Sequence, residues 1–305
     1  MRLHGCICFF LAYLRSFESR DKFKNTREIN INSNFSTNAA RKRRFGRAKL
    51  SEALLNNSED SKRYAEGLKI SYAQDKEDIW LYENFFYGKV NGVIIESGAL
   101  DGYWFSTSSF FERFANWTAV HIEPDPKNYK RLIKNRPKAI NINAALCTEP
   151  RNLHFVNYGF GAVHGILEFM SDEFLKTNHP NIYQNHTIIS NLPIIPCTPM
   201  KLLLQQIRVR QVDIWILDVE GAEEEALRGT DFLSVHFSVI VMECDDTNFI
   251  KNKRKTDLID RYGYECRLIL RNCICKHRRF QSSSREVKSE LRLHNGTFYK
   301  NEGWM

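Results

Sequence analysis

The sequence predicts an α/β fold, doubly wound around a mostly parallel sheet. Two observations carry this. Residues 92–102 hold a short β-branched run, Val93-Ile94-Ile95, that breaks into a glycine turn and then reaches Ser106-Thr107-Ser108, hydroxyl residues suited to opening a helix to about residue 114. Downstream, strand-like apolar runs alternate with helix-like ones, a rhythm that implies parallel pairing through right-handed crossovers. A chain of 305 residues with 43% hydrophobic content has room for one such domain plus extensions.

Residues 1–15 start basic and contain the apolar run Cys6–Leu14. Nine residues fall well short of the roughly 20 that span a bilayer but suit a signal-peptide core or a clipped anchor. A stray apolar N-terminus or a misplaced start codon gives the same pattern. Asn-x-Ser/Thr occurs at Asn34, Asn56, Asn116, Asn185 and Asn295, which leans towards the ER or Golgi lumen over the cytoplasm. Residues 16–66 are polar and Asn-rich and read as a disordered basic stem. Residues 1–50 hold twelve Lys and Arg against three acids, so the excess of +8 lies wholly there and residues 51–305 are close to neutral. A nucleic-acid-binding surface across the fold is therefore not expected. The run Arg41-Lys42-Arg43-Arg44 reads as a solvated linker, suited to lie on anionic lipid.

Residues 74–86 place apolar side chains at helical period behind Asp75, Glu77 and Asp78. The first strand and its helix follow. Strand two is 118–123, and Pro126 opens the next helix. Strand three is 139–147. Residues 151–196 break the rhythm with a glycine-rich stretch around His164, a candidate lid over the substrate or, more plainly, a surface excursion. A helix at 198–208, strand four at 212–219, a short helix at 222–227, strand five at 237–244, a helix at 255–262 and a hairpin across Arg271-Asn272 complete the series. Residues 281–305 form a polar tail. The eight cysteines are scattered and read as buried small hydrophobes, and with no C-x-x-C pair a structural zinc is not expected.

Spacing narrows the ligand. A dinucleotide site wants G-x-G-x-x-G, whereas Gly98-x-x-x-Gly102 is followed by bulky Tyr103 and Trp104. A pyrophosphate has no seat there. An acid, a glycine turn and a second acid, Glu123, 21 residues past Gly102 suit a ligand with an ammonium group and a ribose but no phosphate, such as S-adenosylmethionine.

Four ordered stretches carry a resemblance: Glu96-Ser-Gly-Ala-Leu-Asp-Gly102, Ile122-Glu-Pro-Asp-Pro126, Asn143-Ala-Ala145 and Leu217-Asp-Val-Glu-Gly-Ala-Glu223, preceded by Ser71-Tyr-Ala-Gln-Asp75. Together, over about residues 71–280, they resemble the FkbM-type methyltransferase family. Glu96 stands where that family usually has Asp, and Leu100 where it often has Asn. The resemblance implies a seven-stranded Rossmann-like methyltransferase sheet with an antiparallel last strand. It also implies S-adenosylmethionine as cofactor, held by Glu96, Gly98, Ala99, Gly102, Glu123, Ala145 and Asp218, with a small-molecule, sugar or peptide hydroxyl as acceptor. Asp218 is the first candidate for a general base, unless it holds the cofactor's ammonium, and His164 is the second. Glu123 read alone is a solvated strand-end acid, and Glu96 a turn-stabilising one. Glu220 and Glu243 are further crevice acids. Asp218 with Asp245 and Asp246 would make an oxygen-only set for Mg²⁺, although adjacent acids after a strand are more often a turn. Star-like trafficking proteins resemble the family too, so a non-catalytic protein of the secretory pathway is the alternative.

Overall fold

The computed structural model of the chain describes residues 59–159, 161–244, 249–269 and 271–283. The N-terminal apolar run, the basic cluster, Asp245, Asp246 and the tail beyond 283 lie outside them. Among the described residues no helix is long and apolar enough to cross a membrane.

A seven-stranded sheet runs β10-β11-β9-β8-β1-β2-β3, built from β1 (Val93–Ser97), β2 (Thr118–Ile122), β3 (Ile140–Ile142), β8 (Gln211–Leu217), β9 (His236–Glu243), β10 (Tyr264–Ile269) and β11 (Asn272–His277). β1 pairs in parallel with β2 and β8, and β8 with β9; β11 runs antiparallel to β9 and to β10. The period-two alternation of each central strand feeds two cores. Ile95, Val120, Trp215, Leu217 and Ile240 face one way, against Leu203 and Leu204 of α7 (Met200–Ile207), Leu227 of α8 (Glu223–Arg228) and Ile259 of α9 (Phe249–Asp260). Ile94, Ala119, Ile214, Ile216 and Val239 face the other, against Phe110 and Phe111 of α3 (Ser108–Ala115), Leu81 and Phe85 of α2 (Glu77–Phe85), and Tyr64 of α1 (Glu59–Lys69).

Four expectations change. The stem gives way to structure earlier than expected, because Tyr64 already stacks on Tyr82 at 6.1 Å and anchors α1 to the domain. Strand three splits: the Asn143 amide donates to the Glu123 and Pro124 carbonyls at 2.7 and 3.1 Å, which peels β4 (Ala145–Leu146) away from β3. The presumed long loop after it is a four-stranded sheet in the order β4-β7-β5-β6, with β5 (Arg151–Val156), β6 (Gly165–Ile166) and β7 (Ile194–Thr198), plus α5 (Asp172–Asn178) and α6 (His186–Ile189). Its own core gathers Leu153, Phe155 and Ile166. Finally, the six described cysteines are not free hydrophobes but form three disulfides, Cys147–Cys197, Cys244–Cys273 and Cys266–Cys275. α4 (Pro126–Asn135) opens at Pro126 as expected, with Asp125 accepting from the Lys127 N–H.

Candidate functional site

Between β1 and β8 the chain leaves the sheet in opposite directions, and a crevice opens at the strand ends. Gly98 builds its floor. With φ at +84° and a notional Cβ only 1.7 Å from the Asp218 carbonyl oxygen, no other residue fits there. The turn is fastened from β2, whose Ile122 carbonyl accepts the Gly98 and Ala99 N–H groups at 2.9 and 3.3 Å, and Gly102 closes it by donating to the Ala99 carbonyl at 2.8 Å. Leu100 is left-handed, with φ at +50°, a conformation that Asn adopts more readily than Leu.

Glu96 lies beneath this turn rather than facing the crevice. Its oxygens accept from the Thr107 N–H at 2.7 Å and from the Ser106 and Ser108 hydroxyls at 2.9 and 2.5 Å. The serines expected to cap α3 are thus spent on Glu96. Buried Arg136 ties the same group together, donating to the Gly102 carbonyl and both serine hydroxyls while pairing with Glu112. His121 completes it between Ser108 and Asn141, and burial, then the charge of Arg136, drives its pKa down to about 3. Ala145 also sits away from the opening, its side chain packed with Leu153 and Phe155.

Glu123 does reach the turn: Oε2 accepts the Leu100 N–H at 2.8 Å and Oε1 the Asp125 N–H at 2.9 Å. The group is 4% exposed, and burial pushes its pKa up to about 8 against those two donors. Asn128, 5% exposed on the first turn of α4, lies close enough to ease that shift, yet its Nδ2 is buried without a partner of hydrogen-bonding geometry. The amide thus keeps an unused donor beside an acid. Such an atom asks for a ligand oxygen.

The second sheet supplies a roof. Gly161 lies over Leu100 and Asn128, Gly165 against Glu220, and the Phe169 carbonyl against Gly221. His164 in this segment is no surface residue: Nδ1 meets Asp125 Oδ2 at 2.8 Å, leaving Nε2 only a long contact of 3.4 Å to the Gly159 carbonyl. Burial would raise the Asp125 pKa, but the hydrogen bonds from His164 and the Lys127 N–H hold it below its ordinary value. Sequence reasoning missed this pair, which is 39 residues apart, and missed Asn128, whose only signal was its place just after Glu-Pro-Asp-Pro.

Opposite Glu123 the crevice is acidic. Asp218 has its pKa raised well above its ordinary value by burial and then by the charges of Glu243 and Glu223, with Arg271 opposing. Because its side chain is open to water, the like charges outweigh burial in raising it. Glu220 is raised in the same way, by burial first and then by Asp218. Glu77 faces the same group, raised by burial while it accepts from the Thr107 hydroxyl at 3.1 Å. Arg271, at the hairpin turn, donates to Gln74 Oε1 at 2.8 Å and stands 3.5 Å from Asp75. Among the described residues no group of three or more His, Cys, Asp or Glu is placed to hold a metal ion.

Solved structures that are similar to this chain include the methyltransferase FkbM of Methylobacillus flagellatus, 11% identical over 70% of this chain and 50% of that one with a TM-score of 0.39. The precorrin-6y C5,15-methyltransferase of Geobacter metallireducens is 10% identical over 68% of this chain and 88% of that one, at 0.37. Fibrillarin of Aeropyrum pernix, solved with natively bound S-adenosyl-L-methionine, is 12% identical over 62% of this chain and 66% of that one, at 0.34. The chain thus spans less than two thirds of the length of two of these three. No curated protein matches it. The family model of the methyltransferase FkbM domain matches residues 96–273, from Glu96 under the turn to Cys273 in the last strand, and takes in more than half of the chain. That span includes the turn, Glu123, the roof and Asp218, and the chain belongs to the FkbM methyltransferase family.

Proposed function

We propose that this methyltransferase acts on a hydroxyl oxygen of a small molecule, a sugar or a peptide, with Asp218 taking the hydroxyl proton. One juxtaposition supports this: the buried Glu123 and the unused Asn128 amide on one side of the Gly98 turn, and the acid-rich wall around Asp218 on the other. The residues fit the cofactor. Glu123 can accept from two ribose hydroxyls, Asn128 Nδ2 can donate to a ribose oxygen, and Asp218, Glu220, Glu243 and Glu77 favour a ligand that carries positive charge. S-adenosylmethionine, when bound, supplies a methyl carbon on a cationic sulfur.

The protein's share of the chemistry is then positioning and one proton. Alignment of the reacting atoms accounts for roughly 7–11 kcal/mol of such a barrier. Asp218, made more basic by its neighbours, accepts the proton of the acceptor hydroxyl, a contribution of about 10²–10⁴-fold. His164 is the second candidate, since Asp125 holds Nδ1–H and leaves the Nε2 lone pair free of a strong bond. Turnover by Asp218→Asn at saturating cofactor is expected to fall by about that same 10²–10⁴-fold, beyond any loss of cofactor affinity from the missing charge; near-normal turnover would pass the role to His164. Calorimetry with S-adenosylmethionine and with its demethylated product tests the whole assignment. No heat at millimolar ligand would leave a non-catalytic trafficking protein on the same fold.

A further inference from the structure

We infer that the folded domain carries an N-linked glycan on Asn185, acquired in an oxidising lumen where its six described cysteines are also paired. Two independent observations meet here. The first is that every described cysteine has a partner. Cα–Cα separations of 5.8 Å for Cys147–Cys197 and 5.5 Å for Cys244–Cys273 fall within the span that a disulfide bridges; Cys266 faces Cys275 directly across the β10–β11 ladder at 3.9 Å, shorter than that span. Complete pairing marks chains that fold where thiols are oxidised and is rare where glutathione keeps them reduced.

The second is the sequon Asn185-His186-Thr187. All three residues are exposed, on the outer side of the inserted lobe at the start of α6. Asn185 Oδ1 accepts the Ile188 N–H at 3.2 Å, which fixes the side chain while Nδ2 makes no bond within the described residues. The amide nitrogen, the atom that receives sugar, is the free end. Asn116 offers a contrast: it is exposed too, but its Nδ2 donates to Asn91 Oδ1 at 2.8 Å and Trp117 in its sequon is buried. A sugar on Asn116 would have to break that bond. Asn34, Asn56 and Asn295 lie outside the described residues.

The donor class is an oligosaccharide on a lipid diphosphate. The Nδ2–C1 bond forms as the C1–O bond to the diphosphate breaks; the diphosphate keeps the electron pair, and the amide gives up one proton. Each disulfide forms by loss of two protons and two electrons to a disulfide-bearing oxidant, which becomes a dithiol. Cys147–Cys197 closes the base of the lobe that bears Asn185, so both modifications act on one element.

The test is expression of the full chain in a eukaryotic cell, with three variants. Endoglycosidase is expected to lower the mass of the wild type. Asn185→Gln and Thr187→Ala are each expected to lose one sensitive step, whereas Thr187→Ser keeps it. Thr187→Ala leaves the Asn185 cap in place, so its loss reports the sugar and not the helix start. Alkylation in denaturant without reductant is expected to label Cys6 and Cys8 at most. An unchanged number of steps in both loss variants overturns the glycan at Asn185. Free reaction of the six other cysteines overturns the oxidising compartment.

Discussion

Glu123 places a carboxyl group where charge is costly, and the two backbone N–H groups that hold it do not offset its burial. A ligand that adds two hydroxyl donors would shift that balance towards the carboxylate. Cofactor binding is therefore expected to release a proton below pH 8, seen in calorimetry as a heat that changes with the ionisation enthalpy of the buffer. Glu123→Ala removes a charged acceptor worth about 1.5–3 kcal/mol, so affinity is expected to fall tenfold to hundredfold, with the far-ultraviolet spectrum unchanged. An unaltered dissociation constant would make Glu123 a structural acid only. The spacing from Gly102 was enough to bring Glu123 to the turn, because strand, turn and strand have fixed lengths in this architecture. Asn128 and the Asp125–His164 pair were not legible. Their meaning depends on which side chains the inserted lobe covers, and no local period in the sequence records that.

The inserted lobe is the element on which the roof of the site depends. Within 151–196, β6 has only two residues, too short for an alternation to show, and β7 carries Pro196, which argues against a strand, so the sequence reads as a loop. The central strands β1, β2, β8 and β9, by contrast, were legible from their apolar, largely β-branched runs, while the antiparallel last strand was only what the family resemblance implied. Two small cores hold the lobe: Leu153, Phe155 and Ile166, set against Cys147–Cys197, and Val156, Met170, Leu175, Ile182 and Leu192. That bond closes 50 residues, for which loop entropy gives about 4 kcal/mol. Replacing both cysteines by Ser is expected to speed amide hydrogen exchange across 148–196 far more than in β1, β2 and β8, and to weaken whatever binding the roof supports. Equal protection in the variant would mean that packing alone secures the lobe. Gly98→Ala belongs at this scale as well. Its Cβ would strike the Asp218 carbonyl and part β1 from β8, so loss of the folded state, not a selective loss of activity, is the expected result.

For the molecule as a whole, the buried ionisable groups set a direction for stability against pH. Asp78 is fully buried with Oδ2 unpartnered, and burial, then the charge of Glu77, raises its pKa to about 7; Glu123 stands at about 8. Each acid binds its proton more tightly in the folded chain than in the unfolded one. The stability each contributes is complete below the unfolded pKa near 4 and is lost as pH rises through the folded value. His121 acts in the opposite sense: its folded pKa near 3 lies below the ordinary 6.5, so it removes stability as pH falls below 6.5 and is silent above. Between pH 6.5 and 8 the acids therefore act unopposed by His121. Asp78 over its last half unit and Glu123 over one and a half together amount to about 2–3 kcal/mol. Asp218 and Glu220 add in the same direction. Denaturant unfolding of the ligand-free protein is expected to show a lower midpoint at pH 8 than at pH 6.5, and Glu123→Gln is expected to flatten most of that slope. A midpoint that rises with pH over this interval would show that the acids are already ionised in the folded chain, and with it the proton release expected on cofactor binding would disappear.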